Sequence, residues 1–485
     1  MKLDRSWPLQ RKGGAGSESG EHRIPMALRK LVLICVLATS VLSGGFFSNS
    51  WKVADQKWFR SHQRDDESLV IGRLVKSRQD GILSAAGLTG FGSPYATAVF
   101  WQDKPFEYQY NAYLDGLALG PYTPYKSQIG GQALFFRVLD ISIPVPQSIK
   151  LQLFYMLTSL LSALTLTMIA LWFYLEFDLW VALFVFVSMV LSQWLTVFGR
   201  NLFWSIWVFY LPMVIMMYYF RYNRGAPGLM KVGILVFLSV TLKCFINGYE
   251  YISTTLIMMM VPFFYYGLMD GSGMRRFLKG AVVAVGFSSL AVFFTITILC
   301  FQIASVEGDL LKGVHYIADT LERRSHGDPR DFPRYNVSLE SDTTDVIREY
   351  LTGEGIRYGV FFDLSKYASA SHSVMPRFPL RVRYVDLIGF FFLGSVFILS
   401  CKKWYGSEER RRSIALILST WFSILAPLSW FVIFKAHSYV HTHMNFIVWQ
   451  MPFTFFGFAV CGMAAKRIGL RVSALRMRPR AGAEE

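Results

Sequence analysis

Gly280-Ala-Val-Val-Ala-Val-Gly-Phe-Ser-Ser-Leu-Ala-Val-Phe-Phe-Thr-Ile-Thr-Ile-Leu-Cys-Phe-Gln302 runs without a charged residue. It follows directly on Arg275-Arg276-Phe277-Leu278-Lys279. An apolar helix of this length crosses a hydrocarbon core of about 30 Å. Nine further apolar runs are read from it outward, at 31–48, 151–173, 180–198, 202–220, 232–247, 252–269, 385–401, 413–434 and 444–464. The expected fold is an all-α polytopic membrane protein with about ten transmembrane helices. Composition agrees. The 485 residues are 53% hydrophobic and 17% charged, whereas about a quarter of a soluble chain is charged. An ordinary soluble domain, a disordered chain and a coiled coil are excluded.

The net charge of +16 has two readings. In a soluble protein it suggests nucleic acid; in a membrane protein it records orientation. With a cytoplasmic N-terminus, 24 of the 49 Lys and Arg and 10 of the 33 acidic residues are cytoplasmic, which leaves +14 inside and +2 elsewhere. Arg275, Arg276 and Lys279 fall in one inner turn, and Lys402, Lys403 and Arg410–Arg412 in another. The bias fits both termini in the cytoplasm, and nucleic acid is not expected as a partner.

The chain then divides into a basic N-terminus (1–30), a first span (31–48), a first extracytoplasmic segment (49–150) and a six-helix block (151–302). A second extracytoplasmic segment (303–384), a three-helix block (385–464) and a basic tail (465–485) follow. Met26-Ala-Leu-Arg-Lys30 resembles a natural basic leader into the first span. The alternatives are a start at Met1 and cleavage of the 31–48 helix as a signal. In the first long segment, apolar residues at 70, 71, 74 and 75 share a stripe, with Arg73, Lys76 and Arg78 elsewhere. This reads as an amphipathic helix on the membrane surface that ends at Asp80-Gly81. In the second, Thr343–Leu351 reads as a helix stopped by Gly353, and Tyr358–Leu364 as a strand. Asn336-Val-Ser338 is a glycosylation triplet. The five cysteines lie in or beside apolar runs and form no metal or disulfide pattern.

No charge lies in the middle of a span, so the outer ends are where chemistry is sought. Asp65-Asp66-Glu67 can supply a general base, and Asp65 with Asp66 a divalent-cation site. Acidic residues also suit a helix start, with Asp65 the nearer to a cap. Lys435, His437, His441 and His443 crowd one turn, and His437 and His441 would share a helix face. They fit phosphate contact, proton donation or metal ligation, against a plain polar turn. Lys243 and Glu250 flank another turn, and Arg200 a third; snorkelling accounts equally for such end placement. Tyr122-Thr-Pro-Tyr125-Lys126-Ser-Gln128 is a hydroxyl-rich loop.

This pattern resembles the GT-C class of integral-membrane glycosyltransferases. The resemblance rests on a cytoplasmic N-terminus, one span, and a long outer segment with the early acidic motif Asp65-Asp66-Glu67. It implies sugar transfer from a polyprenyl-phosphate carrier to a glycan or lipid acceptor on the outer face. One motif acid would be base or metal ligand, and outer cations would hold phosphate. The motif lies well after the first span, and no large C-terminal soluble domain follows. Alternatives are a polysaccharide polymerase or ligase using a lipid-linked glycan, and a flippase. The absence of cysteine in the outer segments favours a bacterial inner membrane. The site reading requires Asp66, Lys243, His441 and Arg200 to line one cavity. Intact mass of the native protein tests the start: a mass beginning at Met26 is expected, and one that includes residues 1–25 contradicts it.

Overall fold

The computed structural model describes residues 26–94, 106–224, 228–270, 273–358, 380–401 and 406–476. Among them the backbone is helical apart from turns and two short antiparallel ribbons. Gly90–Gly92 pairs with Tyr122–Pro124, and Glu354–Tyr358 with Leu380–Arg383. The first 25 residues, on which the choice of start depends, lie outside the described residues.

Seven helices are long and apolar enough to cross a membrane: Leu28–Ser48, Gln147–Glu176, Leu229–Asn247, Ile252–Asp270, Phe277–Glu307, Ser407–Ile433 and Phe453–Ser473. The chain is a multi-pass helical membrane protein. Side chains such as Val36, Val282, Val285, Phe293 and Phe301 are exposed, as lipid contact requires, while Trp172, Tyr210, Tyr265, Trp449 and Phe456 are buried between helices.

The other expected spans are shorter or interrupted, for local reasons. The 180–198 run is two helices, Leu179–Val190 and Gln193–Phe198. The break falls where the Ser192 hydroxyl caps the second by accepting from Leu195 N–H. The 202–220 run is helical only over Trp207–Tyr222. Before it, Asn201 Oδ1 accepts from the N–H groups of Phe203 and Trp204 and forms a turn. The 385–401 run is a 17-residue helix, Tyr384–Ser400. The last run becomes one continuous helix only from Phe453. Hydropathy counts apolar residues and is blind to these side-chain caps.

The first long segment packs against the bundle. Its helix Arg64–Asp80 ends as expected, with Gly81 at φ 94°. It is not an interfacial helix. Every residue from Glu67 to Val75 is buried. It is wedged among Phe106–Leu114, Gly131–Ser142 and the first ribbon. At Gly72 a Cβ would come within 2.5 Å of the Gly90 carbonyl, so the strand crosses where the side chain is missing. Arg73 is buried because its guanidinium donates to Ser84 Oγ (2.9 Å) and Ile82 O (2.5 Å). An amphipathic pattern records polar residues but cannot say that protein rather than water satisfies them.

The second long segment leaves the Gly273–Glu307 helix through Gly308 (φ 74°) and enters the helix Leu310–Arg324. This is the amphipathic surface helix. Leu310, Leu311, Val314 and Leu321 are exposed along one stripe, while Gly313 packs on the Cys300 backbone. Thr343–Thr352 is a helix capped by Asp342 and followed by Gly353. The strand lies at Glu354–Tyr358, earlier than expected, and 359–364 falls outside the described residues.

Glu67 joins these parts. Its Oε1 accepts from Tyr110 and Tyr155 hydroxyls at 2.6 Å each, and its Oε2 from Leu202 N–H at 3.0 Å. One carboxylate thus ties the first long segment to a membrane-spanning helix and to the turn at 201–205. Glu67→Ala would strand three buried donors, each costing about 1–3 kcal/mol. A fall in detergent-solubilised melting temperature of several degrees is expected; an unchanged one contradicts the clamp.

Candidate functional site

A cavity of about 690 Å³ opens where the two long segments and the 435–445 turn meet. Asp65 and Asp66 form one wall, from the first turn of the Arg64–Asp80 helix. Neither is the cap. Gln63 occupies that position, in left-handed conformation (φ 53°), without a capping side-chain bond. Both carboxylates still sit at the positive end of the helix dipole.

Glu250 lies opposite. The helix Leu229–Asn247 stops at Gly248, whose φ of 62° suits glycine and whose missing Cβ leaves room for Gln128. Lys243 reaches over this turn, and its Nζ donates to Gly248 O (2.8 Å) and Glu250 O (2.5 Å). The backbone is thereby fixed and the Glu250 side chain faces the cavity. Its Oε1 accepts from Arg324 Nη1 at 2.6 Å, and its Oε2 lies 3.2 Å from His437 Nε2.

His437 lies within the short helix Lys435–Val440, and His441 caps it by donating its N–H to His437 O. The imidazole centroids of His437 and His441 are 4.4 Å apart, and those of His441 and His443 are 5.6 Å apart. Below them, Tyr251 stacks near Trp204 and donates to Asn445 Oδ1 at 2.9 Å. The Arg323 guanidinium sits 5.6 Å from the Tyr316 ring and 5.7 Å from that of Tyr335. Arg334, Tyr125 and Ser127 also line the cavity.

The charges of this site are uneven. Burial raises the Asp66 carboxyl well above the ordinary range, and Asp65 and Glu250 push it further. Burial would also raise Glu250, but Arg324 and then His437 outweigh it and hold the carboxyl well below its usual value. Burial depresses His437 in spite of Glu250, and depresses His441 and His443 as well. Near neutral pH the cavity thus presents neutral imidazoles, an ionised Glu250 matched to Arg324, and two further arginines. Asp66 is the carboxyl whose proton is most readily kept or exchanged.

The expected divalent-cation site does not fit these residues. Among the described residues no three His, Cys, Asp or Glu side chains are grouped to hold a metal. Glu250 is already matched by a guanidinium, which leaves only two carboxylates in the lining, Asp65 and Asp66.

Asp65, Asp66, Glu250, His437, His441 and His443 come together as a set. Four expected residues do not join them. Glu67 turns away from Asp66 because neighbouring helix positions do not face each other, and it is consumed by the clamp described above. Arg200 lines a separate cavity on the other side of the same helix start. Lys243 sits behind the Glu250 turn. The Lys435 Nζ donates to Leu339 O (2.6 Å) and Ser341 O (2.8 Å), and so holds the second segment over the cavity. The requirement that Asp66, Lys243, His441 and Arg200 share one cavity is therefore not met; only Asp66 and His441 do. The arginines at 323, 324 and 334 were not anticipated. The readable signal was the Arg323-Arg324 pair in the last turn of an amphipathic helix, where cations suit the dipole.

Comparison with known protein families, curated proteins and solved structures finds no match.

A pH test follows from the buried histidines. In the unfolded chain His437 takes a proton near its ordinary 6.5, whereas in the folded protein it does so only at lower pH. The stability that His437 contributes is therefore lost as pH drops below about 6.5, and that of Glu250 below about 4.5, while the raised Asp66 carboxyl works in the opposite sense. Melting temperature should decline from pH 7 to pH 5, and less steeply in His437→Gln; an identical slope contradicts a buried neutral His437.

Proposed function

We propose that the protein is a glycosyltransferase that moves a sugar from a polyprenyl-phosphate-linked donor to a glycan or lipid acceptor. It would act on the extracytoplasmic face of a membrane, a bacterial inner membrane by preference, with both termini cytoplasmic. The observation that carries this is the union, in one cavity, of the Asp66 carboxyl with three arginines. Transfer requires a base for the acceptor hydroxyl and positive charge for the departing phosphate. In the reaction the acceptor oxygen attacks the anomeric carbon while its proton passes to Asp66. The bond from that carbon to the phosphate oxygen breaks, and the electron pair leaves with the phosphate. Arg323 and Arg334 stabilise that charge, together with the N–H groups of Arg324 not engaged by Glu250. Neutral His441 donates an N–H without adding charge.

A raised Asp66 carboxyl gives the rate a particular pH dependence. The base form grows as pH rises, so activity increases through a pKa above the ordinary carboxylate range. Purified protein with polyprenyl-phosphate sugars should lose about a hundredfold or more in Asp66→Asn, since general-base catalysis contributes that much. Arg334→Gln should lower the rate as well. Full activity in Asp66→Asn removes the proposed base.

The second reading, a polymerase or ligase on a lipid-linked glycan, is favoured by the histidines and arginines that share one wall. Sensitivity at His441 without sensitivity at Asp66 would select it. A flippase has less support, because the grouped polar residues come from turns and long segments and not from helix middles.

A further inference from the structure

The Arg200 cavity is the strongest site that the proposed reaction leaves unused. It measures about 530 Å³ and lies across the Gln63–Glu67 turn from the histidine cavity. Its carboxylates are already matched. Glu67 accepts three hydrogen bonds, and Glu107 accepts from Arg64 at 2.9 Å. Arg200 has no acidic partner among the described residues. Its guanidinium rests 4.5 Å from the Phe59 ring and 4.9 Å from that of Tyr155, with one long bond of 3.4 Å to Phe47 O. Aromatic faces hold a cation in place while leaving its N–H edge open to a planar or tetrahedral anion.

A second observation points the same way. His62 forms part of the same wall and is about nine-tenths buried, yet its Nε2 has no hydrogen-bond partner. Trp58 and Phe198 pack on its ring at centroid distances of 5.2 and 4.7 Å. A buried polar nitrogen left unpaired is costly unless something else supplies the partner. Arg60, exposed at the same cavity, adds a further cation.

The position fits a lipid. Phe47 and Ser48 end the first membrane-crossing helix, and Leu151 and Tyr155 belong to the start of the second. Beside Leu151 and Tyr155 on the second helix, Ile149 and Met156 are exposed apolar residues. The cavity therefore adjoins the surface that faces acyl chains, at the level of phosphate headgroups.

We propose that the Arg200 cavity is a second anion site, which takes the phosphate of a lipid anchored in the bilayer. Arg200 binds the phosphate oxygens with His62 packed in the wall beside it, Arg60 screens its outer side, and the chain lies along the helices that carry Phe47 and Leu151. The site does not depend on the glycosyl-transfer reading. It is separate from the histidine cavity and stands if that cavity does other chemistry.

The test is equilibrium binding of radiolabelled farnesyl phosphate to the full chain in dodecyl maltoside, which carries no phosphate. Binding is measured in an Arg334→Gln background, which removes an exposed arginine from the histidine cavity; it should persist at this site, and adding Arg200→Met should weaken it at least tenfold. Farnesol, which lacks the phosphate, should not compete. Inorganic phosphate separates the sources: no competition at matched concentration assigns the site to a lipid, and equal competition assigns it to free phosphate. Should Arg200→Met fail to fold, Arg60→Gln replaces it, since Arg60 is exposed and its loss removes little packing; a severalfold loss is expected. Affinity equal to wild type in folded Arg200→Met, or in Arg60→Gln when the first variant does not fold, overturns the proposal. So does the absence of any phosphate-dependent binding.

Discussion

The Glu250 carboxylate is where the separate parts of this molecule meet. It is held from behind by Lys243, which belongs to a membrane-crossing helix and bonds the turn's carbonyls. It is held from the front by Arg324, from the second long segment, and by His437, from the turn before the last long helix. A buried carboxylate must be matched, and breaking such a match costs more than the pair itself contributes. The position of the second segment over the bundle therefore depends on this one charge. Arg323 and the region around Arg334 follow from it, since both are carried by the same segment.

The same economy of charge explains why the cavity walls differ. Cations that looked available at the span ends, Lys243 and Lys435, spend their donors on backbone carbonyls. They are positioning residues: one shapes the Glu250 turn, the other fastens residues 339–341. Glu67 is likewise structural. What remains accessible is a small set with unlike environments, an Asp66 carboxyl that resists ionisation and a Glu250 that does not. Two carboxyls separated in this way can take different parts in proton transfer, one exchanging a proton and one orienting a cation.

Much of the fold could be read from the sequence, because long apolar runs have few alternatives. The reading failed where a single side chain decides the backbone. Ser192 starts a new helix and Asn201 forms a turn inside runs that hydropathy treats as continuous. The Arg64–Asp80 helix reads as a surface helix from sequence because its polar residues are visible there and their buried partners are not. The Leu310–Arg324 helix, which has the exposed apolar stripe, went unnoticed. At the site, the histidine turn, Glu250 and the first two acids were legible as polar residues concentrated where spans end. Arg200 and Glu67 were legible too, but residues adjacent along a helix point to different sides. No spacing rule assigns two neighbouring walls to two cavities. The arginines that face Asp66 come from a segment about 260 residues away, a juxtaposition that only tertiary packing creates.

The proposed sugar transfer requires the cavity between Asp66 and Arg324 to receive a phosphate-linked substrate. An experimental structure of the protein with a non-transferable polyprenyl-phosphate sugar analogue tests it most directly. The phosphate is expected within hydrogen-bond distance of Arg323, Arg324 or Arg334, with the sugar against Asp66. An analogue bound with both groups outside this cavity would contradict it.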